Sequence, residues 1–252
     1  MTVRDTAWPT GTPCWVDYTA ADLPAAQQLY AEVLGWTYTE GEPEYGGYLT
    51  CLRKDLPAAG MAPQMSPGEP PHWTTYFATD DADDAVERIG GAGGTVVVPP
   101  MQVGAMGRMV IAIDPQGHPF GLWEAGEHTG VRVYDEPGSL VWNEVAAEDV
   151  DSEAKFYGSV FDYRFEEVEG AGGYLTFATG DRPLGGCGAA QPGMPVGWTT
   201  CFGVADTDAA VATVERSGGS VPMPAEDTPY GRVAVLRDPW GAAFSVMQVP
   251  PG

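Results

Sequence analysis

Trp15-Val-Asp-Tyr-Thr-Ala-Ala-Asp22 and Trp142-Asn-Glu-Val-Ala-Ala-Glu-Asp149 are two spellings of one segment, followed at equal spacing by Leu29-Tyr30 and Phe156-Tyr157. The repetition continues outward. Gly47-Tyr-Leu-Thr50 returns as Gly173-Tyr-Leu-Thr176, Trp73-Thr-Thr75 as Trp198-Thr-Thr200, Gly93-Gly94 as Gly218-Gly219, and Asp114-Pro-Gln-Gly117 as Asp238-Pro-Trp-Gly241. The shift is 127 residues from Trp15 to Trp142 and 124 from Asp114 to Asp238, so only short deletions separate the copies. A period this long exceeds the roughly 20–50 residues of a solenoid unit, which makes each copy a domain. The expected division is a tail over 1–11, a first domain over 12–127, a linker over 128–137 and a second domain over 138–249. The linker, His128-Thr-Gly-Val-Arg-Val-Tyr-Asp-Glu-Pro-Gly138, shows no core pattern.

Each copy opens with an apolar run, turns at an acidic residue and enters a helix. Asp22 and Asp149 stand where helix caps belong, and Leu29, Tyr30, Val33 and Leu34 recur as an apolar helical face that Gly35 closes. Strands are expected around Tyr48–Leu52 and Tyr174–Ala178, with Gly- and Pro-rich turns after them, then at Trp73–Ala78 and Trp198–Val204. Helices from about Asp81 to Ile89 and Asp206 to Val214 end at the Gly-Gly pairs. Strands Arg108–Ile113 and Phe120–Glu124, with Arg232–Arg237 and Phe244–Val249, meet at the Asp-Pro-x-Gly turn. Strand, helix, strands therefore occurs twice within each copy.

Composition narrows the functional classes. A net charge of −23, from 35 acidic against 12 basic residues, opposes a nucleic-acid backbone. It fits a solubilising surface or attraction of a cationic small molecule. No apolar run approaches the roughly 18–20 residues of a membrane helix, and the start of the chain shows no secretory signal, so a cytoplasmic protein is expected. Cys14, Cys51, Cys187 and Cys201 have no cysteine partner at metal-site spacing and read as free thiols in a reducing compartment.

The acidic turn, the Tyr-bearing helix closing on Gly-Trp or Asp-Tyr, the acidic-capped second helix ending Gly-Gly and the final Asp-Pro-x-Gly-x-x-Phe strand together resemble the vicinal oxygen chelate superfamily. That group includes glyoxalase I, extradiol dioxygenases, fosfomycin-resistance enzymes and bleomycin-binding proteins. The likeness spans residues 12–127 and 138–249 and looks strongest to two-domain actinobacterial glyoxalase-like and hydroxylase proteins, some encoded beside aromatic polyketide pathways. It implies an α+β fold of tandem domains, each built of two βαβββ modules curled into a half-barrel whose concave face holds the ligand.

Metal enzymes of that superfamily carry ligands on three strands, because a divalent ion needs converging imidazoles and carboxylates. The corresponding positions here are Trp15, Thr74 and Gly121 in the first copy and Trp142, Thr199 and Ser245 in the second. None is a His or a Glu. The resemblance therefore implies a cup without a conventional metal centre, and no cofactor is expected.

Strand alternation places Trp15, Asp17 and Thr19 on one face with Thr74, Tyr76, Gly121 and Trp123; in the second copy it groups Trp142, Glu144 and Ala146 with Thr199, Cys201, Ser245 and Met247. Asp17 and Glu144 are the candidate acid–base residues, with His72, which shares the parity of Thr74, as a third. In a partly apolar pocket a carboxylate's pKa rises, which suits a general base or a partner for a ligand cation. The alternative is that both carboxylates bond nearby backbone or pair with Arg108 and Arg232. Arg108, equivalent to Arg232, reads either as a salt-bridge residue or as a ligand anchor. The tryptophans fill strand cores or make a stacking surface for a planar ligand. His118 reads as structural, and His128 as a linker residue without a site role.

Two functions remain open from the sequence. One is a metal-independent protein acting on a planar or carbonyl-bearing metabolite such as an aromatic polyketide intermediate, by acid–base chemistry or by assisting a hydroxylase. The other is non-catalytic antibiotic binding, while a metal-dependent glyoxalase or dioxygenase is a third reading that the missing ligands count against. The expected partner is a small molecule, planar aromatic or cationic, with no nucleic acid or membrane, and the chain is expected as a monomer or homodimer. The more aromatic first cup is the expected working site.

Overall fold

The computed structural model describes residues 2–66 and 68–250. The first repeat runs β1 (Thr2–Val3), β2 (Pro13–Ala20), α1 (Leu23–Leu34), β3 (Thr37–Tyr38), β4 (Leu49–Arg53), β5 (Leu56–Pro63), β6 (His72–Thr79), α2 (Ala82–Gly91), β7 (Thr95–Val103), β8 (Gly107–Ile113) and β9 (Pro119–Ala125). After β10 (Val133–Tyr134), the second runs β11 (Leu140–Ala147), α3 (Val150–Phe161), β12 (Arg164–Glu167), β13 (Leu175–Ala178), β14 (Gly185–Ala189), β15 (Gly197–Val204), α4 (Thr207–Arg216), β16 (Ser220–Thr228), β17 (Gly231–Arg237) and β18 (Ala243–Gln248).

The helices begin where the sequence places them. The Asp22 carboxylate accepts from the Ala25 N–H, Asp149 from Ser152, Asp81 from Asp83 and Asp84, and Asp206 from Ala209, each satisfying otherwise orphaned amides. Ala26, Leu29, Tyr30 and Leu34 form the buried stripe of α1.

Among the described residues, each repeat forms one mixed sheet. The first has the order β3-β4-β5-β2-β6-β9-β8-β7; the second has β12-β13-β14-β11-β15-β18-β17-β16, with β1 and β10 attached beside β11. In each, two modules meet along an antiparallel central pair, β2 with β6 and β11 with β15. This is the α+β, tandem two-module architecture that the resemblance implies.

Besides the short β1, β3, β10 and β12, four strands lie where the sequence suggests only turns or connections. β5 and β14 are rich in Gly and Ala, and β7 and β16 carry prolines, residues that ordinarily weaken a strand. Proline is tolerated in β7 and β16 because both are edge strands with irregular register. The glycines at 60, 186 and 188 have a different cause, a tyrosine lying flat across each strand.

The helices fill the space between the two sheets. α1 packs with α4, and α2 with α3. One core cluster therefore mixes Val16, Tyr18 and Tyr30 of the first repeat with Phe202, Leu236 and Phe244 of the second, and another joins Phe77 and Phe120 to Phe156 and Tyr157. Where the repeats meet, equivalent residues Thr75 and Thr200 share Asn143: their hydroxyls lie 3.0 and 3.3 Å from its Oδ1 and 3.3 Å from each other.

The Asp-Pro-x-Gly turns lock this arrangement reciprocally. One oxygen of Asp238 accepts the Trp240 and Ala242 amides of its own turn, while the other accepts the hydroxyls of Tyr18 (2.6 Å) and Tyr30 (3.1 Å) from the first repeat. Asp114 likewise closes its own turn with Oδ1 and reaches Tyr157 of α3 with Oδ2 at 3.0 Å. Trp73 and Trp198 each donate to the tyrosine concerned, at 3.0 and 2.6 Å. These two tryptophans are framework.

The segment between the repeats packs more tightly than its composition suggests. Val131 and Val133 are buried, Trp36 donates to the Gly138 carbonyl at 2.8 Å, and Lys54 pairs with buried Glu136 at 2.8 Å.

Candidate functional site

Register puts the helix-facing residues Val16, Tyr18 and Ala20 of β2 in the core and leaves Trp15, Asp17 and Thr19 on the outer, concave face. Pairing of Asp17 with Thr74, Trp15 with Tyr76, and Tyr76 with Gly121 carries that face onto β6 and β9, where Trp123 completes it. The sequence expectation for this grouping matches the structure.

The floor of the first cup is nearly solid. Trp15 (4% exposed), Tyr76 (6%) and Trp123 (8%) form an apolar cluster with Cys14 and Val131. At position 121 a Cβ would meet the Tyr76 ring at 2.1 Å, so glycine here lets that ring lie against the sheet. At position 60 a Cβ would meet the Tyr48 hydroxyl at 1.7 Å. Gly60 on β5 thus lets Tyr48 cross beside Asp17, which accounts for the glycine at that position.

Asp17 sits at the centre of this surface, partly exposed. Burial pushes its carboxyl up to about 6, against the opposing effects of a hydrogen bond from Tyr76 and the nearby His72. Trp15 Nε1 donates to the Tyr48 hydroxyl oxygen at 2.8 Å, leaving the Tyr48 proton free to be donated elsewhere. Burial first, and the Asp17 charge second, hold both Tyr48 and Tyr76 well above the ordinary phenol range, so both are neutral donors. His72 lies at the rim, half-buried, with Nδ1 2.9 Å from the Pro70 carbonyl.

His128 belongs to this cup, although the sequence offers no reason to place it there. Its ring packs edge-on against Trp15, with centroids 4.3 Å apart, and against Trp123 at 5.4 Å, while its carbonyl accepts Trp123 Nε1 at 2.8 Å. Burial lowers its imidazole to about 4, so it is a neutral cover over two indoles. Beside it is a recess of about 160 Å³ lined in part by Trp8, Cys14, Trp123 and Glu124, smaller than the roughly 300 Å³ of a drug-sized pocket.

The second cup repeats the central trio in a closer form. Trp142 Nε1 donates to the Tyr174 hydroxyl oxygen at 3.0 Å, and Tyr174 donates to Glu144 Oε2 at 2.8 Å. Tyr174 crosses Gly186 as Tyr48 crosses Gly60. Burial raises Glu144, and the Tyr174 bond partly offsets this. Thr199 faces Glu144 across the strand pair, and Ser245 is buried with its hydroxyl 3.5 Å from the Thr200 carbonyl.

Arg108 departs from the ligand-anchor expectation. It shares strand parity with the helix-facing Val110 and Ala112, and its guanidinium is committed to Asp83 (2.9 Å) and Glu124 (3.1 Å) at the start of α2. Arg232 is similarly held by Asp208 and Asp227. Neither arginine pairs with Asp17 or Glu144. The salt-bridge reading is the one that fits.

The divalent-ion positions implied by the resemblance do not fit a metal. In the first cup they offer an indole N–H already spent on Tyr48, the buried hydroxyl of Thr74 and the bare glycine 121 under a tyrosine ring. In the second they offer an indole and two buried hydroxyls. A converging set exists elsewhere: Asp114, His118 and Glu153 lie together, buried between the repeats. There one nitrogen, His118 Nδ1, serves both carboxylates, at 3.1 and 3.0 Å. Burial opposes its charge, but the two carboxylates outweigh this and hold the imidazole at about 9, making it a cation that bridges them. The structural expectation for His118 is in keeping with that role.

The four cysteines are free and buried, with burial pushing Cys187 and Cys201 up to about 12, which leaves them unreactive thiols. Among the described residues, no helix is long and apolar enough to cross a membrane.

Comparison with known proteins agrees with this fold. A family model for the glyoxalase/bleomycin resistance protein/dioxygenase superfamily matches residues 14–122, and one for a glyoxalase-like domain matches residues 142–247. The chain is 38% identical over 250 residues to CFP32 of Mycobacterium bovis, provisionally named a glyoxylase, covering 96% of each chain. It is 35% identical over 269 residues to the anthracycline biosynthesis protein DnrV of Streptomyces peucetius, covering 98% of this chain and 96% of that one. A solved structure, the Mn(II)-bound glyoxalase from Novosphingobium aromaticivorans, superposes with a TM-score of 0.68 at 11% identity, over 95% of this chain and 83% of the other, a likeness of fold alone.

Proposed function

The chain belongs to the glyoxalase/bleomycin resistance protein/dioxygenase superfamily, and on that premise we propose that it is a metal-independent member acting by acid–base catalysis on a planar, carbonyl-bearing metabolite of the aromatic polyketide class. Its similarity to an anthracycline biosynthesis protein along nearly its whole length supports the substrate class. Asp17 supports the chemistry. It is a carboxylate on the concave face of the first cup, raised to about 6 by burial and flanked by two neutral phenols, so it is ionised at neutral pH yet basic enough to accept a proton.

The step follows from these positions. A polycyclic ketone lies over the open part of the first cup, beside the ring cluster that His128 covers, with an acidic C–H toward Asp17. The proton passes to the Asp17 carboxylate and the C–H electron pair moves to the carbonyl oxygen, giving an enolate. The Tyr48 hydroxyl, whose proton is free, donates a hydrogen bond to that oxygen, a stabilisation worth about 3–4 kcal/mol where such donors have been removed. Asp17 then returns the proton to the same or another carbon, completing an isomerisation or preparing a ring closure.

Deuterium incorporation at C10 of anthrone in D2O, followed by NMR, tests this with a defined planar ketone. Wild-type protein is expected to accelerate exchange, and Asp17→Asn to lose about 10²–10⁴-fold, the usual contribution of a positioned base. Full exchange by Asp17→Asn would remove Asp17 from the mechanism.

A further inference from the structure

The two cups share a framework but differ in what surrounds their carboxylates. His72 of the first cup has Gly197 as its counterpart, Tyr76 has Cys201, and Trp123 has Met247. Around Asp17 stand an imidazole, a second phenol and a second indole. Around Glu144 the one polar partner found is Tyr174, which bonds Oε2; among the described residues no cation pairs with either of its oxygens. A carboxylate set largely among apolar groups without a counterion is costly, and a ligand cation relieves that cost.

The indole beside it is also less covered than its counterpart in the first cup. Trp15 is sealed beneath His128, but Trp142 is half-exposed, held in place by its bond to Tyr174. Register places Ser245 level with Trp142 and puts Met247, paired with Val233, one same-face step further from Glu144, so the side chain that borders the acid on this face is the Trp142 indole. An indole face suits the hydrocarbon next to a positive charge. A chain of net charge −23 draws cations toward this surface.

We propose that the second cup is a separate binding site for a protonated amine carried on an aromatic or apolar body, its ammonium paired with Glu144 and its hydrocarbon laid against Trp142. The site stands on its own geometry and does not depend on the chemistry assigned to Asp17.

Calorimetric titration of the full chain at neutral pH with 1-naphthylmethylamine, and with 1-naphthylmethanol as a neutral molecule of the same shape, tests the assignment. The amine is expected to occupy one site about tenfold or more tighter than the alcohol. Glu144→Gln keeps an acceptor for Tyr174 and is expected to remove that advantage while leaving alcohol binding unchanged; Trp142→Leu is expected to weaken both ligands. Far-UV circular dichroism of each variant confirms that the fold persists. Equal affinity for amine and alcohol in the wild type, or an unchanged amine affinity in Glu144→Gln, overturns the site. Loss of amine binding in Asp17→Asn with retention in Glu144→Gln overturns it too, by moving the amine to the first cup. Anthrone exchange, read separately, reports on Asp17 whichever way the amine titration falls.

Discussion

Replacing His118 by alanine removes the cation that joins the repeats at Asp114 and Glu153, and the structure sets the scale of the loss. The imidazole lies 3.1 Å from Asp114 Oδ2 and 3.0 Å from Glu153 Oε1, with all three side chains buried. Without it, two carboxylates face each other away from water, a defect of about 3–5 kcal/mol. Linkage gives a similar figure: a rise of the imidazole from 6.5 to about 9 is worth about 3 kcal/mol. Because the folded value is raised, that stabilisation is complete below about pH 6.5 and is lost as pH climbs through about 9. Glu153→Ala leaves His118 paired with Asp114 and should cost less. The double variant His118→Ala, Glu153→Ala reproduces the pair found around Asp238, Ala242 and Ala26, so it should recover about 1–3 kcal/mol relative to the sum of the singles. Urea unfolding followed by tryptophan fluorescence at neutral and alkaline pH measures all of this. A cost below about 1 kcal/mol for His118→Ala, or simple additivity in the double variant, would refute the bridging cation.

Asp17→Asn is expected to be inactive and more stable than wild type at pH 7. A carboxyl whose folded value, about 6, exceeds its ordinary 3.8 favours the folded state at low pH and loses that advantage as pH rises through 6. The ionised group therefore costs stability at neutrality, about 1–2 kcal/mol after allowance for its partial exposure, and the gap between variant and wild type should close below about pH 4. Denaturant melts at the two pH values read it, and a variant weaker than wild type at pH 7 would contradict it. His128→Ala should uncover the Trp15 and Trp123 rings at a cost of about 0.5–1.5 kcal/mol, seen as increased acrylamide quenching of fluorescence; unchanged quenching would mean that the imidazole covers nothing.

Much of the architecture is legible in the chain because its markers act locally. Asp22 and Asp149 cap helices by bonding amides three residues on, and the alternation along Trp15-Val-Asp assigns Asp17 to the concave face without any tertiary knowledge. β5 and β14 are less legible, since the glycines at 60, 186 and 188 are explained by Tyr48 and Tyr174, which stand just before β4 and β13. The Arg108 guanidinium is settled by parity with Val110 and by acids on α2. His128 is the clearest case of information absent from local pattern. Nothing within its own segment announces that the chain leaving β9 turns back so that this ring covers Trp15, more than a hundred residues earlier. Reciprocal use of Asp114 and Asp238 was hidden for the same reason: each turn motif reads as self-contained, while half of its hydrogen bonding lies in the other repeat.

Proton exchange at C10 of anthrone, measured on chelator-treated protein between about pH 4 and 9, bears most directly on the assignment of Asp17 as a metal-independent base. The wild-type rate is expected to rise through an apparent pKa of about 6 to a plateau, and Asp17→Asn to lose both the rise and most of the rate. Exchange that chelation abolishes and a divalent ion restores, or that Asp17→Asn sustains with the same pH profile, would contradict it.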